Sequence, residues 1–322
     1  MARALLVHGA TFLVLLMLNF ALPRMLPGDP IQAMQDRGSA SFVTSDKARA
    51  ELRAYYGLDD SVPDQFGHYA ANLLQGDLGI SIRYQAPVLD VIGERLPWTL
   101  LLLGTGFLLA AVVGVVAGIH SGWRRGRRSD RTLLALLVGV RNFPPFFVGS
   151  LLLLVFSVQL GWFPLAGAST PFGVFGPLQR IADVLWHLVL PSITVALSVV
   201  GTQYLLMRNS MVGELGDPYV LLGRAKGVPE RRLKYRYAAR NALLPVLTLT
   251  SFQVGAAINL VVFVETVFAY PGLGRLIFDA AASRDYPVLS GAALVLTLMV
   301  LVVSVLLDFV YPRLDPRTRE AR

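Results

Sequence analysis

Six long runs of apolar residues decide what class of fold this chain can adopt. A helix that crosses a bilayer needs about twenty mostly apolar residues. Lipid cannot pair with exposed backbone amides, so only helices and closed barrels span it, and barrel strands are shorter and alternate apolar with polar residues. The sequence therefore predicts an all-α, polytopic membrane protein with six transmembrane helices. They are 1–23, Pro97–Ile119, Thr132–Val158, Trp186–Met207, Leu243–Val264 and Pro287–Val310.

The first run has the apolar character of a secretory signal. It is long enough to span a bilayer, however, and no small-residue cleavage pattern follows it, so we expect a retained first helix.

Composition supports a membrane protein and limits the kinds of partner that its positive charge can indicate. Only 16% of the 322 residues are charged, whereas a soluble domain usually carries about a quarter. The net charge of +8 fits nucleic acid, anionic lipid or basic cytoplasmic loops. The most basic stretch lies between two predicted helices at the membrane face, which argues against nucleic acid. The absence of cysteine excludes disulfides and thiolate sites.

Short loops predict the orientation. "HSGWRRGRRSDR" (120–131) holds five arginines, whereas 159–185 holds one basic residue and 265–286 holds two. Basic loops stay in the cytoplasm, so we expect both termini on the cytoplasmic side of the membrane. The segment 24–96 has apolar residues at helical spacing and is expected to form an external helical lid. A five-helix transmembrane core then covers 97–310, and 311–322 is a cytoplasmic tail.

The longest internal loop, 208–242, has the signals of two helices. Asp217 and Pro218 are typical of a helix start, and Gly227 is typical of a helix end. A second, basic helix is expected from Pro229 and Glu230 into the fifth apolar run. Such a rigid element could transmit force from a partner at the membrane face.

This loop resembles the "EAA" loop of ABC importer permeases of the dipeptide, oligopeptide and nickel type. The matching stretches are "GRAKG" (223–227) and "RNALLP" (240–245). Other blocks resemble the same family in the same order: "MLPGDP" (25–30), "YYGLDDSVPDQFGHYAANLLQGDLGISI" (55–82), "ERLPWTL" (94–100), "ETVFAYPGLGRLIFDAAASRDYPVLSG" (265–291) and "DFVYPRLDPR" (308–317). The long segment after the first helix is similar to the first permease of a heterodimeric pair. One departure is the apolar Leu221–Leu222 before Gly223, which leaves open which side chains make polar contacts to the ATPase.

The resemblance implies a type I importer permease that forms half of a path for di- or oligopeptides. Nickel chelates and glutathione are the alternative substrates. The implied partners are a second permease, two ATPase subunits or one fused ATPase, and an external substrate-binding protein. No cofactor is expected in this chain, because ATP and magnesium would bind the ATPases. The residues that would couple to the ATPase are Tyr219, Leu222, Gly223, Arg224, Ala225, Lys226 and Gly227. For most of the other arginines of the loop, we expect contact with membrane lipid.

Three polar residues in or beside the apolar runs are candidates for the translocation path. Arg141 lies near the bilayer midplane, where a charge costs about 2.5–3.5 kcal/mol. Pro144 and Pro145 should break the helix just after it. Arg141 either lines the path, where it meets a substrate carboxylate or fixes a gate, or is a structural arginine paired with helix carbonyls or with an acid of the partner subunit. Asn142, beside it, is a second candidate for the path. Glu265 is either a gate residue or, as the pattern favours, an ordinary interfacial charge.

Other classes find less support. The chain has no G-x-x-x-x-G-K-[ST] phosphate loop, no catalytic triad and no metal-ligand spacing among its four histidines, so we expect no enzyme and no metal. A self-contained secondary transporter would need buried acids in inverted repeats, and none is evident. Gly114 and Gly118 have the G-x-x-x-G spacing of a close helix contact.

Overall fold

The computed structural model describes residues 9, 13–14, 16–21 and 61–314, without the side chains of 244, 247–252, 254–259, 303–304 and 306–314. Predictions for 22–60 and 315–322 lie outside the described residues. The described elements are almost all helical, which agrees with the predicted all-α class. They are α1 (Val62–Leu74), α2 (Val88–Trp123), α3 (Arg128–Arg141), α4 (Pro145–Leu152, continued by the π-helical Leu153–Gln159), α5 (Pro177–Glu214), α6 (Pro218–Ala225), α7 (Glu230–Arg232, the π-helical Leu233–Ala238 and Ala239–Val267), α8 (Leu273–Ser283) and α9 (Tyr286–Leu314).

The chain forms two compact units. The first contains residues 1–97 and 272–301, and the second contains 98–271 and 302–322. The boundary at 97 falls within α2.

In the second unit, a row of glycines brings α2 against α5. A Cβ added to any of four glycines would lie 2.4–2.7 Å from a side-chain atom of α5, closer than packed atoms allow. The pairs are Gly106 with Val195, Gly114 with Gln203, Gly118 with Met207 and Gly122 with Met211. The close contact predicted at Gly114 and Gly118 is therefore confirmed. Because the residue numbers rise together along both helices, α2 and α5 run parallel.

This parallel arrangement settles the path of the chain between them. Within the described residues, α2 and α5 are the two helices that are long and apolar enough to cross a membrane individually. A chain that crosses twice in the same direction must return in between. The segment α3–α4 must therefore cross the bilayer as a broken span.

The break falls within the predicted run Thr132–Val158, at the two prolines where the sequence predicts it. The axes of α3 and α4 are bent by 103°, and the two helices are separated by 142–144. Pro144 precedes the first residue of α4, where proline has no amide to continue the ladder of α3. The interruption expected at the two prolines is thus confirmed, but each half is a separate helix.

The bounds of the other helices extend the predicted runs. Helix α2 begins nine residues before the predicted Pro97, which lies inside it. Helix α7 continues from the basic loop into the apolar run, as expected. The apolar part of α9 described here, Tyr286–Val302, is shorter than a full span. The count of six spans stays a prediction.

The first unit contains part of the expected lid. Helix α1 begins after Ser61, whose hydroxyl accepts a hydrogen bond from the Asp64 amide. Phe66 and Tyr69 of α1 contact Phe20, with ring centroids 5.2 and 5.6 Å apart. The helical pattern of this part of 24–96 is confirmed.

The same unit contains a helix that the sequence analysis did not predict, α8. It starts after Gly272 and ends at Ser283, and its C-cap Arg284 has a left-handed φ of 52°. The following Asp285 is buried, and its carboxylate accepts hydrogen bonds from the Ser81 hydroxyl at 2.6 Å and the Arg83 amide at 3.0 Å.

Candidate functional site: the loop between α5 and α7

The loop between α5 and α7 contains a short helix with well-defined ends. Asp217 occupies the N-cap of α6 and Pro218 its first position, as predicted, although the Asp217 side chain makes no capping bond. At the other end, Gly227 has a φ of +72°. The Gly227 amide donates to Arg224 O and the Val228 amide to Gly223 O, each at 3.0 Å. This pair of bonds is a Schellman motif, which requires the left-handed conformation that glycine adopts without strain.

The two faces of α6 differ sharply. Val220 is completely buried, and Gly223 packs against Leu233, whose Cδ1 would lie 2.6 Å from a Cβ at that position. Leu221 and Leu222 instead are each 55% exposed. We call these two residues the leucine pair. The helix thus holds an apolar surface away from the rest of the chain.

Side chains fix α6 to the neighbouring helix ends. The Arg224 guanidinium pairs with Glu230 at 3.1 Å and lies 5.5 Å from the ring of Trp123, the last residue of α2. The Tyr219 hydroxyl donates a hydrogen bond to Glu214 at the end of α5. Burial, and then this bond to a carboxylate, raise the pKa of Tyr219 to about 12. Helix α6 is therefore attached to the ends of both α2 and α5.

The basic helix that follows presents most of its charge to the surroundings. Arg231, Arg232, Arg236 and Arg240 are exposed, as are Ala225 and Lys226 of the predicted coupling set. Lys234 differs, because it is buried and its ammonium lies 4.6 Å from the Tyr235 ring. The exposed arginines have the disposition expected of charges near lipid headgroups.

A buried ion pair near the loop was missed by the sequence analysis. The Asp130 carboxylate, 3% exposed as a side chain, receives Arg208 Nε at 2.7 Å and Nη2 at 2.9 Å. The Ser121 hydroxyl and the Gly126 amide also donate to Asp130, and Ser121 shares a 2.6 Å hydrogen bond with Tyr204.

We call Asp130, Arg208, Ser121 and Tyr204 the Asp130 cluster. It ties together α2, α3 and α5 at the ends nearest the loop. The available signal was Asp130 itself, an acid in a loop of five arginines.

Comparison with known proteins identifies the family of this chain. Residues 110–320 match the model of a family described as the inner membrane component of binding-protein-dependent transport systems. The chain belongs to this family. It is an inner-membrane permease subunit of an ABC importer.

Relatives of this permease match along almost its whole length. It is 38% identical to a protein of Brucella ovis named as a peptide permease, over 98% of this chain and 97% of the relative. It is 35% identical to the glutathione transport system permease protein GsiC of Escherichia coli K12, over 96% of this chain and 95% of the relative.

A solved structure supports the fold. The permease matches a chain of the MetNI methionine ABC transporter, in an inward-facing crystal form, with a TM-score of 0.55 and 15% identity. The match covers 70% of this chain and 97% of the other. The importer permease fold predicted from the sequence is therefore confirmed.

Two of the predicted path residues lie at the break in the second span of the permease core. Arg141 is the last residue of α3 and Asn142 its C-cap, and both side chains are exposed. The backbone of α3 packs closely on α5 here, since a Cβ at Gly201 would lie 2.6 Å from Leu137 O. Within the described part of the chain, no acidic side chain pairs with Arg141.

The third predicted path residue, Glu265, lies elsewhere in the permease. It is completely buried near the end of α7 and accepts a hydrogen bond from the Thr99 hydroxyl at 2.7 Å. The favoured interpretation as an interfacial charge is wrong for this conformation. Near it, the buried Tyr270 packs edge-on against Trp98, and its hydroxyl has no hydrogen-bond partner among the residues described. The structure therefore does not bring Glu265 together with Arg141 and Asn142.

Proposed function

We propose that this permease forms one half of a translocation path for di- and oligopeptides and receives the force of ATP hydrolysis through the loop 208–242. The observation that carries the proposal is the leucine pair on a firmly attached α6. ATP and magnesium would bind the ATPases, which are two subunits or one fused protein. A second permease would complete the path, an external binding protein would deliver the peptide, and both termini would be cytoplasmic.

The leucine pair has the properties of a docking surface for an ATPase. Full burial of a leucine stabilises by about 1.5–3 kcal/mol, and each of these side chains is already about half buried. Docking of both would therefore contribute about 2 kcal/mol. Because α6 is attached to α2 and α5, a displacement of the docked helix would be passed to two spans rather than absorbed by the loop.

Substitution of the leucine pair tests this role. We expect Leu221→Asp with Leu222→Asp to abolish co-purification of the ATPase and ATP-driven uptake, while the permease still inserts in the membrane. Tyr237→Asp is a matched control, because Tyr237 is an exposed aromatic residue of the same loop outside α6. Normal uptake and co-purification in the leucine-pair variant would contradict the proposal.

Peptide is the substrate class we favour, and glutathione is the second candidate. The Brucella ovis relative is named for peptide and GsiC for glutathione, and glutathione is itself a tripeptide. The test is uptake of labelled dipeptides, oligopeptides, glutathione and a nickel chelate into proteoliposomes that contain the complete transporter and its binding protein. Saturable, ATP-dependent uptake of peptides that excess glutathione does not inhibit would support peptide. Uptake of glutathione or nickel chelate alone would overturn it.

We further propose that Arg141 and Asn142 line the path at the break between α3 and α4. A guanidinium without an acidic partner in the described chain is suited to a peptide carboxylate. Arg141→Gln should reduce uptake of free-acid peptides more than that of C-terminally amidated peptides, whereas Arg141→Lys should retain part of the difference. Equal effects on both substrates would instead indicate a structural role. Glu265 remains a predicted path residue. Because it is buried in this structure, the substrate would reach it only in another conformation of the transporter.

A further inference from the structure

The loop between α4 and α5 presents large apolar side chains that are fully exposed among the residues that the structure describes. Phe172 and Val174 are 103% and 100% exposed, as exposed as in an extended peptide. Phe172 also has a left-handed φ of 58°, a conformation that is rare for a bulky residue and costs free energy. A strained, fully exposed phenylalanine needs an explanation outside the chain.

The loop is held in place rather than free. The Asp183 carboxylate of α5 accepts hydrogen bonds from the Thr170 amide at 2.8 Å and from the Thr170 hydroxyl at 2.6 Å. Phe163 stacks on Trp186 with ring centroids 4.5 Å apart. Farther back, the Gly167 amide donates to Phe268 O at 3.0 Å. These contacts fix both sides of the segment that displays Phe172.

The exposed apolar surface continues from the loop onto α5. Leu178, Ile181 and Leu185 are 82%, 58% and 53% exposed. Their spacing of three and four residues places them on one face of the helix. Asp183 and His187 lie on the opposite face, toward the loop. The Nδ1 atom of His187 is 2.8 Å from Asp183 O. We call Phe172, Val174, Leu178 and Ile181 the apolar tip.

Charge indicates what covers this surface. No charged residue occurs from 160 to 179, so the loop offers only uncharged polar groups, such as Ser169, for the rim that surrounds most protein interfaces. The first charge that follows is Arg180, in the first turn of α5. Helix α5 is long and apolar enough to cross a membrane, and its exposed apolar first turns follow directly on the loop. Tryptophan is enriched where headgroups meet acyl chains, and the exposed Trp162 and Trp186 belong to this loop and to α5.

We propose that the apolar tip is a lipid-binding surface that inserts into the membrane interface beside the entrance of α5. The Thr170–Asp183 hydrogen bonds position it, and the lipid compensates the strain at Phe172 by burying the ring. This role is independent of the transported substrate and of the ATPase loop.

The absence of cysteine from the chain makes a direct test straightforward. Phe172→Cys and Val174→Cys each provide this chain with a single site for a nitroxide label. The labelled chain is assembled with cysteine-free variants of its partner subunits and reconstituted in nanodiscs of phosphatidylcholine and phosphatidylglycerol. Ser169→Cys is the matched control, since Ser169 is an exposed polar residue of the same loop. Collisions with oxygen, which concentrates in the bilayer, are compared with collisions with a water-soluble nickel complex.

Lipid insertion predicts a ratio of oxygen to nickel accessibility several times higher at 172 and 174 than at 169. Addition of Asp183→Ala should lower that ratio at 172 and increase the mobility of the label. Nickel accessibility equal to that at 169 would show a tip in water and overturn the proposal. Low accessibility to both reagents, or a change on adding the external binding protein, would show that a protein covers the tip and would overturn it equally.

Discussion

Removal of Arg208 should destabilise the permease more than removal of its partner, Asp130. The Asp130 carboxylate is almost completely enclosed, whereas the Arg208 side chain keeps 17% of its surface exposed. In an Arg208→Met variant, the carboxylate stays buried with only Ser121 and Gly126 as donors. In an Asp130→Leu variant, the long guanidinium can turn toward water or headgroups.

The expected magnitudes follow from this asymmetry. Breaking a buried pair by removing one member costs about 3–5 kcal/mol, which we assign to Arg208→Met. Loss of hydrogen bonds to a charged group that can be rehydrated costs about 1.5–3 kcal/mol, which we assign to Asp130→Leu. The double variant should be less destabilised than the sum of the two, because neither charge is then left buried alone.

The assay is equilibrium unfolding in mixed detergent micelles, followed by the fluorescence of the four tryptophans, for the wild type, both single variants and the double variant. A coupling free energy of at least about 1 kcal/mol is expected for residues in direct contact. Because the pair is buried, salt should change it little. Strict additivity, or a larger loss for Asp130→Leu than for Arg208→Met, would refute this reasoning about burial.

Three further outcomes are expected in the same unfolding assay or by spectroscopy. Gly118→Ala should lower the free energy of unfolding by about 1–3 kcal/mol through overpacking against α5. Gly104→Ala places its new Cβ with nothing within 4 Å and should raise the free energy of unfolding by about 0.5–1 kcal/mol. Equal effects of the two substitutions would argue against the close contact. Tyr270→Phe removes a buried hydroxyl that has no partner among the residues described and should be neutral or stabilising by up to about 1 kcal/mol; a clear loss would reveal a hydrogen bond in another state. The pKa of Tyr219 is raised to about 12, so the protonated side chain contributes fully to the stability of the folded state below pH 10, and this contribution is lost as the pH rises through 12. The phenolate absorbance difference between wild type and Tyr219→Phe should therefore appear near pH 12. Its appearance near pH 10 would contradict the burial of Tyr219.

The loop between α5 and α7 was predictable because its structure depends on local signals. Proline at the start of α6 and glycine after its end specify their own backbone conformations, and the structure places both where the sequence indicated. The contact at Gly114 and Gly118 was predictable for a similar reason, since small residues four apart on an apolar helix allow the backbone of a second helix to approach closely.

Other features depend on contacts between distant residues, which a single sequence does not contain. Asp130 and Arg208 are 78 positions apart, and each taken alone is an ordinary charge near a membrane face. Glu265 is buried because Thr99, from another helix, lies beside it. Helix α8 is an exception: Leu273, Leu276 and Ala280 are buried at helical spacing, but the turn signal of "PGLG" obscured that pattern.

The matched spacing of the α2–α5 contacts limits how this region can change in length. The four glycines of α2 and their partners on α5 follow the same intervals of eight, four and four residues. One inserted residue would rotate every later position of α2 by about 100°, so that Val113, Ala117 and Ser121 would meet α5 where Gly114, Gly118 and Gly122 now lie. Insertions and deletions should therefore be absent between Gly106 and Gly122 in functional variants, while the loops at either end of these helices can vary in length.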